Sequence, residues 1–176
     1  SLSFSGTVQP LVPQMIKSQS KYASVGMVNL HGDVFDGIKM IEGKPTMHRT
    51  IGKNLLNLEH DKFFAEAEKR GTHIVLHAND PKEFWTTEGL DYYGDDTYAS
   101  HEELYRQAYA ILEKHPNLCV TFAHFFFKGD KPQDLIDLFE KYPNVCVDLT
   151  PGWEMYLSFY DNKEYFKDFF TRYSKR

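Results

Sequence analysis

The sequence predicts an α/β fold built on a parallel sheet, and three observations predict it. Two apolar, β-prone segments, Thr72–His77 and Leu118–His124, each end on a histidine. A helical pattern precedes each of them. The segment Glu113-Lys114-His115-Pro116-Asn117-Leu118-Cys119-Val120 returns 27 residues later as Glu140-Lys141-Tyr142-Pro143-Asn144-Val145-Cys146-Val147. Helix-turn-strand units of about 30 residues imply parallel strands joined by right-handed crossovers.

In chain order, Ser3–Val8 is a short, polar first strand, and Tyr22–Leu30 is a helix end running into a strand that stops before His31. Helix Leu58–Arg70 is closed by Gly71, a residue suited to the left-handed position after a helix, and leads into the strand ending at His77. Ser100-His101-Glu102-Glu103 is a capping box, and Leu104, Ala108, Ile111 and Leu112 follow at helical spacing. The strand ending at His124 comes next. A helix then begins near Asp130-Lys131-Pro132, where proline suits a first turn, and Leu135, Ile136, Leu138 and Phe139 form its buried stripe. Asn144–Asp148 is the following strand. A last helix carries Tyr165, Phe166, Phe169, Phe170 and Tyr173, and its Phe170-Thr171-Arg172-Tyr173 matches Phe139-Glu140-Lys141-Tyr142. Its strand should start where the sequence stops, so we expect a longer polypeptide or a partner chain to supply it. The connections 32–57, 80–100 and 150–160 all follow predicted strands, which places them on the C-terminal rim where substrate loops lie. The first two are read as lids or as carriers of short helices.

Composition narrows the functions. With 176 residues the chain is read as a single domain, 1–176. The net charge of −5 is not offset by any basic block, so nucleic acid and anionic membrane are poor partners. No run of 18 or more apolar residues offers a membrane span, and no basic-then-apolar leader is visible. Cys119 and Cys146 fall in apolar runs and read as reduced, buried thiols, which points to a cytoplasmic protein. There is no Gly-x-Ser-x-Gly elbow and no phosphate-cradling glycine loop.

Ligands of parallel α/β folds sit beyond the C-terminal strand ends. His77 and His124 fall there, as candidate metal ligands or proton carriers. His73 shares a strand face with His77 but lies at the other end, and reads as packing. Trp85, Tyr92, Tyr93, Phe125, Phe126, Phe127 and Trp153 are candidate pocket walls. Asp148 reads as structural. His48, His60, His101 and His115 sit in polar contexts and receive no role.

At this point the chain resembles a known family. Gly26-Met27-Val28-Asn29-Leu30-His31, Phe64–Gly71 leading into Ile74-Val75-Leu76-His77, Val120-Thr121-Phe122-Ala123-His124 and Asn144–Asp148 occur in its order. It is the amidohydrolase-related family, in the branch of the amidohydrolase superfamily that includes aminocarboxymuconate-semialdehyde decarboxylase and lactone hydrolases. The resemblance implies a (β/α)₈ TIM-barrel type of fold, which typically needs about 250 residues, with about strands three to seven present here. It implies one divalent metal ion, expected to be zinc, with His77 as a ligand, His124 as the catalytic histidine, and His31 in contact with substrate. Apart from the resemblance, Trp85 and Trp153 are expected as substrate contacts from their place on rim loops, where aromatics can equally pack the loops or meet a subunit. The family's His-x-His pair and late aspartate have no counterpart in this sequence, so the remaining ligands would lie outside it.

The expected function is that of a metal-dependent hydrolase acting on a small carboxylic ester, lactone or amide. A metal-dependent non-oxidative decarboxylase on the same scaffold is the alternative. It would need a cationic clamp for a substrate carboxylate, for which Lys128 and Lys39 are the nearest candidates. A third reading is a catalytically silent barrel fragment serving as a binding or assembly module. Strands with two open edges invite aggregation, so a partial barrel would need its missing strands, a partner chain or a homo-oligomer.

Overall fold

The computed structural model describes residues 37–52, 54–86, 92–150 and 153–176. The expected strand Ser3–Val8, the expected helix end and strand of Tyr22–Leu30, and His31 lie outside the described residues. The chain runs β1 (Gly37–Met40), α1 (Pro45–Thr50), α2 (Leu58–Arg70), β2 (His73–Leu76), α3 (Glu83–Thr86), α4 (His101–Lys114), β3 (Val120–Phe122), α5 (Pro132–Lys141), β4 (Val145–Val147), α6 (Trp153–Asp161) and α7 (Lys163–Arg172).

Local chemistry sets the helix bounds. The Asn57 side chain accepts from the Glu59 and His60 amides and starts α2. Gly71, at φ 66°, ends it in the left-handed conformation that a side chain resists. The Ser100 hydroxyl accepts from the Glu103 amide at α4, and Pro132 sits in the first turn of α5.

Within the described residues the sheet is four-stranded and parallel, in the order β1-β2-β3-β4. Ile38, Ile74, Val120 and Val145 lie in register, as do Met40, Leu76, Phe122 and Val147. Strand alternation sends these residues to one face. All but Val147, which packs against the cluster half-buried, lie buried in one core with Phe63, Phe64, Leu104, Ile111, Leu135 and Phe169 of the helices. The opposite face carries Lys39, His73, Val75, Thr121 and Cys146, which are half-buried or exposed. His73 Nε2 lies 2.9 Å from Thr121 Oγ1 across that face.

The structure corrects several expectations. The 32–57 connection contains a strand, β1, which pairs directly with β2. Gly37-Ile38-Lys39-Met40 has only two apolar residues, so pairing with β2, and not local preference, makes it a strand. The described sheet is open, which is consistent with the expected partial barrel, because a closed (β/α)₈ wall takes eight strands. Cys119 and Cys146 are free and half-buried, not buried. Of the two readings for the connections 32–57 and 80–100, short helices are what the structure has, α1 and α3.

His48, His60 and His115 are buried, each against polar partners. His115 packs between Asp61 (3.1 Å from Nε2) and Glu68 (3.4 Å from Nδ1). His48 Nε2 lies 2.9 Å from Gln107 Oε1, which also accepts from the Leu55 amide at 2.8 Å. Gln107 Nε2 in turn donates to Glu103. Gln107→Leu takes the acceptor from two buried donors, each costing about 1–3 kcal/mol unpaired. A loss of about 2–4 kcal/mol in urea denaturation is expected.

Burial lowers the pKa of His60, partly offset by the Asn54 carbonyl, and burial lowers those of His73 and His101 as well. The folded state therefore resists protons that the unfolded chain takes up near about pH 6.5. Unfolding binds protons below that pH, so stability is full above it and is lost as pH falls toward the folded-state values. Urea midpoints measured from pH 8 to pH 5 should hold steady and then drop below about 6.5. His60→Gln should shallow the drop, and an unchanged slope in that variant would contradict the assignment.

Candidate functional site

The sheet ladder brings the two strand-end histidines together. The His77 amide donates to the Met40 carbonyl, and the Ala123 amide donates to the Leu76 carbonyl. His77 and His124 thus follow neighbouring strands, His124 one residue beyond the level of His77. Their rings meet edge to face, with centroids 4.8 Å apart. Phe127 packs on both, at 5.7 Å from His77 and 5.3 Å from His124. Gly43, after β1, lies against the same strand end. A Cβ there would collide with the His77 carbonyl oxygen and stand 2.7 Å from Ala78 Cα.

His124 opens a single left-handed turn. His124, Phe125, Phe126 and Phe127 have φ of 58°, 56°, 54° and 51°, a conformation costing about 1–2 kcal/mol per non-glycine residue. Three groups of contacts hold it. The Asp148 carboxylate accepts from the His124 amide at 2.8 Å, and the Phe125 amide donates to the Asp148 carbonyl at 2.8 Å. The Tyr105 hydroxyl donates to the carbonyls of Phe126 (2.9 Å) and Phe127 (3.3 Å). Phe126 stacks on Phe122, with centroids 4.0 Å apart. Backbone strain kept by so many contacts is a feature of functional sites.

The electrostatics follow from this packing. Burial lowers the His124 pKa, and the adjacent His77 lowers it further, against smaller pulls from a hydrogen bond with the Thr150 backbone and from Asp148. Its imidazole is therefore neutral at neutral pH. Burial works against charge on Asp148, but hydrogen bonds from Thr150 and from the His124 amide outweigh it and hold the carboxyl below its usual range. Burial pushes the Tyr105 hydroxyl up, which keeps it a donor. Neighbouring protein atoms partly desolvate the Lys39 ammonium and lower its pKa although the side chain as a whole is exposed, and Asp148 partly restores it.

His77 has a second set of contacts. Its Nε2 lies 2.9 Å from Asp80 Oδ1, and the Tyr93 hydroxyl donates to Asp80 Oδ2 at 3.1 Å. Neither Asp80 nor this role of Tyr93 was foreseen from sequence. The spacing of His77 and Asp80 was the available signal. A cleft of about 280 Å³ adjoins the pair through Phe127, with Lys82, His101, Tyr105, Lys131 and Met155 among its walls.

The remaining candidates fall in different places. Trp85 is built into the packing of its loop, its indole N–H donating to the Ala99 carbonyl and its ring against Tyr93 and His101. Trp153 opens α6. Phe125 and Phe126 are core residues, and Phe125 also backs a cleft beside Leu149, Phe170 and Tyr173, away from the two histidines. Lys128 is taken up by Asp134 at 2.8 Å and by the Tyr105 ring at 3.9 Å, whereas Lys39 is exposed.

A catalytic divalent ion takes about three protein ligands and leaves one position open. His77 and His124 are suitable imidazole donors. Among the described residues, no group of three histidine, cysteine or acidic side chains could hold an ion. This part of the chain therefore offers fitting donors in an incomplete set. Among the described residues, no helix is long and apolar enough to cross a membrane.

Comparison with curated proteins and with solved structures returns no match. The model of the amidohydrolase family, however, matches residues 31–174. That span is most of the chain and includes both strand-end histidines. Members of the superfamily are generally enzymes and typically bind a metal. On that match, this chain belongs to the amidohydrolase family.

Proposed function

We infer that this protein is a metal-dependent hydrolase of small carboxylic esters, lactones or amides, built on a (β/α)₈-type wall within one domain spanning residues 1–176. The observation that carries the reading is the His77–His124 pair at the C-terminal ends of adjacent parallel strands. Consecutive strands that are also neighbours, with helices sharing the core of one face, fit a barrel wall better than a sheet that reverses at a switch point. A divalent cation, zinc being the first choice, supplies Lewis-acid polarisation and water activation when bound. His77 is the ligand the described residues contribute. His124, neutral and held rigidly by its turn, accepts a proton from the attacking water and returns it to the leaving group. The cleft beside Phe127 receives a small-molecule substrate, with His31, Trp85 and Trp153 as further contacts.

A second reading has its own support. Lys39 lies on the open face of the sheet, near enough to His124 and Asp148 to shift both electrostatically or be shifted by them. A cation there suits a substrate carboxylate, and hence a decarboxylase. The purified protein, with metal content measured, should hydrolyse members of a panel of lactones and aryl esters. Chelator should abolish the activity and zinc or manganese restore it. Release of carbon dioxide from carboxylated substrates without hydrolysis would select the second reading. Neither activity in metal-loaded protein would overturn both and leave a binding module.

A further inference from the structure

The loop after β2 folds back on the histidine that precedes it. The Asn79 carbonyl oxygen of the side chain accepts from the Asp80 amide at 3.0 Å, and Asn79 Nδ2 donates to the His101 carbonyl at 3.0 Å. This ties the loop to the first residue of α4. It delivers the Asp80 carboxylate to His77 Nε2 on one oxygen and to the Tyr93 hydroxyl on the other. His77, Asn79, Asp80 and Tyr93 are 8%, 0%, 4% and 3% exposed. A buried carboxylate is costly unless its oxygens are bonded, and here each has a protein partner.

A carboxylate only accepts hydrogen bonds. Nε2 of His77 must therefore carry the hydrogen, and the neutral ring then has its lone pair on Nδ1. Among the described residues nothing is hydrogen-bonded to Nδ1. We propose that Asp80, braced by Tyr93, is the positioning residue of His77: it fixes the Nε2–H tautomer and presents Nδ1 as the nitrogen that meets the metal ion or substrate. Carboxylates that orient metal-binding histidines in this way also raise the basicity of the ring. The inference rests on the reading of His77 as a ligand and adds which nitrogen acts and what sets it. It also gives the 92–99 segment a part in the site, because Tyr93 anchors that segment to the same carboxylate.

The test is long-range proton–nitrogen NMR of the imidazoles in the ¹⁵N-labelled protein, above the range in which histidine titrates. Wild type should show His77 as a single Nε2–H tautomer, and Asp80→Leu should give a mixture. In zinc titrations, Asp80→Leu should bind about 10- to 100-fold more weakly. Tyr93→Phe removes the hydroxyl that donates to the outer Asp80 oxygen. It should keep the tautomer and bind zinc with an intermediate loss, which serves as the check if Asp80→Leu does not fold. An Nδ1–H or mixed wild-type ring, or populations unchanged in Asp80→Leu, would overturn the proposal. The two readings fail separately: protein that shows the Nε2–H tautomer but takes up no metal defeats the hydrolase reading alone. Protein that binds metal with an Nδ1–H ring defeats this one.

Discussion

Phe125→Ala is expected to destabilise the protein by about 3–5 kcal/mol in urea denaturation. Phe125 is fully buried. Its ring meets Phe159 at 5.0 Å, Phe169 at 5.6 Å, and Phe166 and Phe170 at 6.0 Å. It thereby pins the left-handed turn after β3 to α6 and α7. Alanine would leave a cavity among four aromatic rings while keeping a non-glycine residue at positive φ, so the strain would stay and its main anchor would go. A domain of this size is stable by about 5–15 kcal/mol in total, so the loss is a large share of it. Phe127→Ala, at the half-buried end of the turn, should cost clearly less. A Phe125→Ala loss below about 1 kcal/mol would mean that the aromatic cluster does not hold the turn. Amide exchange at Phe126 and Phe127 should rise in the variant, since these amides belong to the turn that Phe125 anchors.

Helix limits were legible because they depend on nearby residues. Leu58–Arg70 ends at Gly71, α4 starts after Ser100, and α5 starts at Pro132, as their local chemistry dictates. The strands ending near His77 and His124 were legible from their apolar runs, although the paired residues are fewer, His73–Leu76 and Val120–Phe122. β1 was not legible, because four residues with a glycine and an outward lysine become a strand only against β2. The left-handed turn was also hidden. Its three phenylalanines extend the apolar look of β3, and the interactions that bend the chain there come from Tyr105 and Asp148, distant in sequence.

The site divides in the same way. The strand-end rule placed His77 and His124 on one rim, and the ladder fixes their 4.8 Å approach. Asp80 and Tyr93 required the fold of a loop whose two ends are set by Asn79 and α4. Residues that act through others are held by long-range contacts, which a pattern along the chain does not display.

His124→Asn is expected to lower turnover of a hydrolysed ester or lactone by about 10²–10⁴-fold, the usual worth of a positioned proton carrier. Asparagine is the informative replacement because it tolerates the left-handed conformation that His124 adopts at φ 58°. It also keeps the backbone amide that donates to Asp148. Stability should therefore change by less than about 1 kcal/mol, as for a substitution that opens no buried cavity and orphans no buried partner. Loss of rate then reports the imidazole and not the turn. If His124 moves a proton only as the transition state forms, kcat falls and KM stays near its wild-type value. A rise in KM at unchanged kcat would instead make His124 a substrate contact. Tyr105→Phe separates the ring from its support: it leaves the imidazole in place and removes the donor to the Phe126 and Phe127 carbonyls. That variant should lose stability, by about 1–3 kcal/mol for the buried carbonyls left unpaired, and lose rate less than His124→Asn does. The reverse order, with Tyr105→Phe the slower enzyme, would move the chemistry away from His124 and onto the turn that carries it.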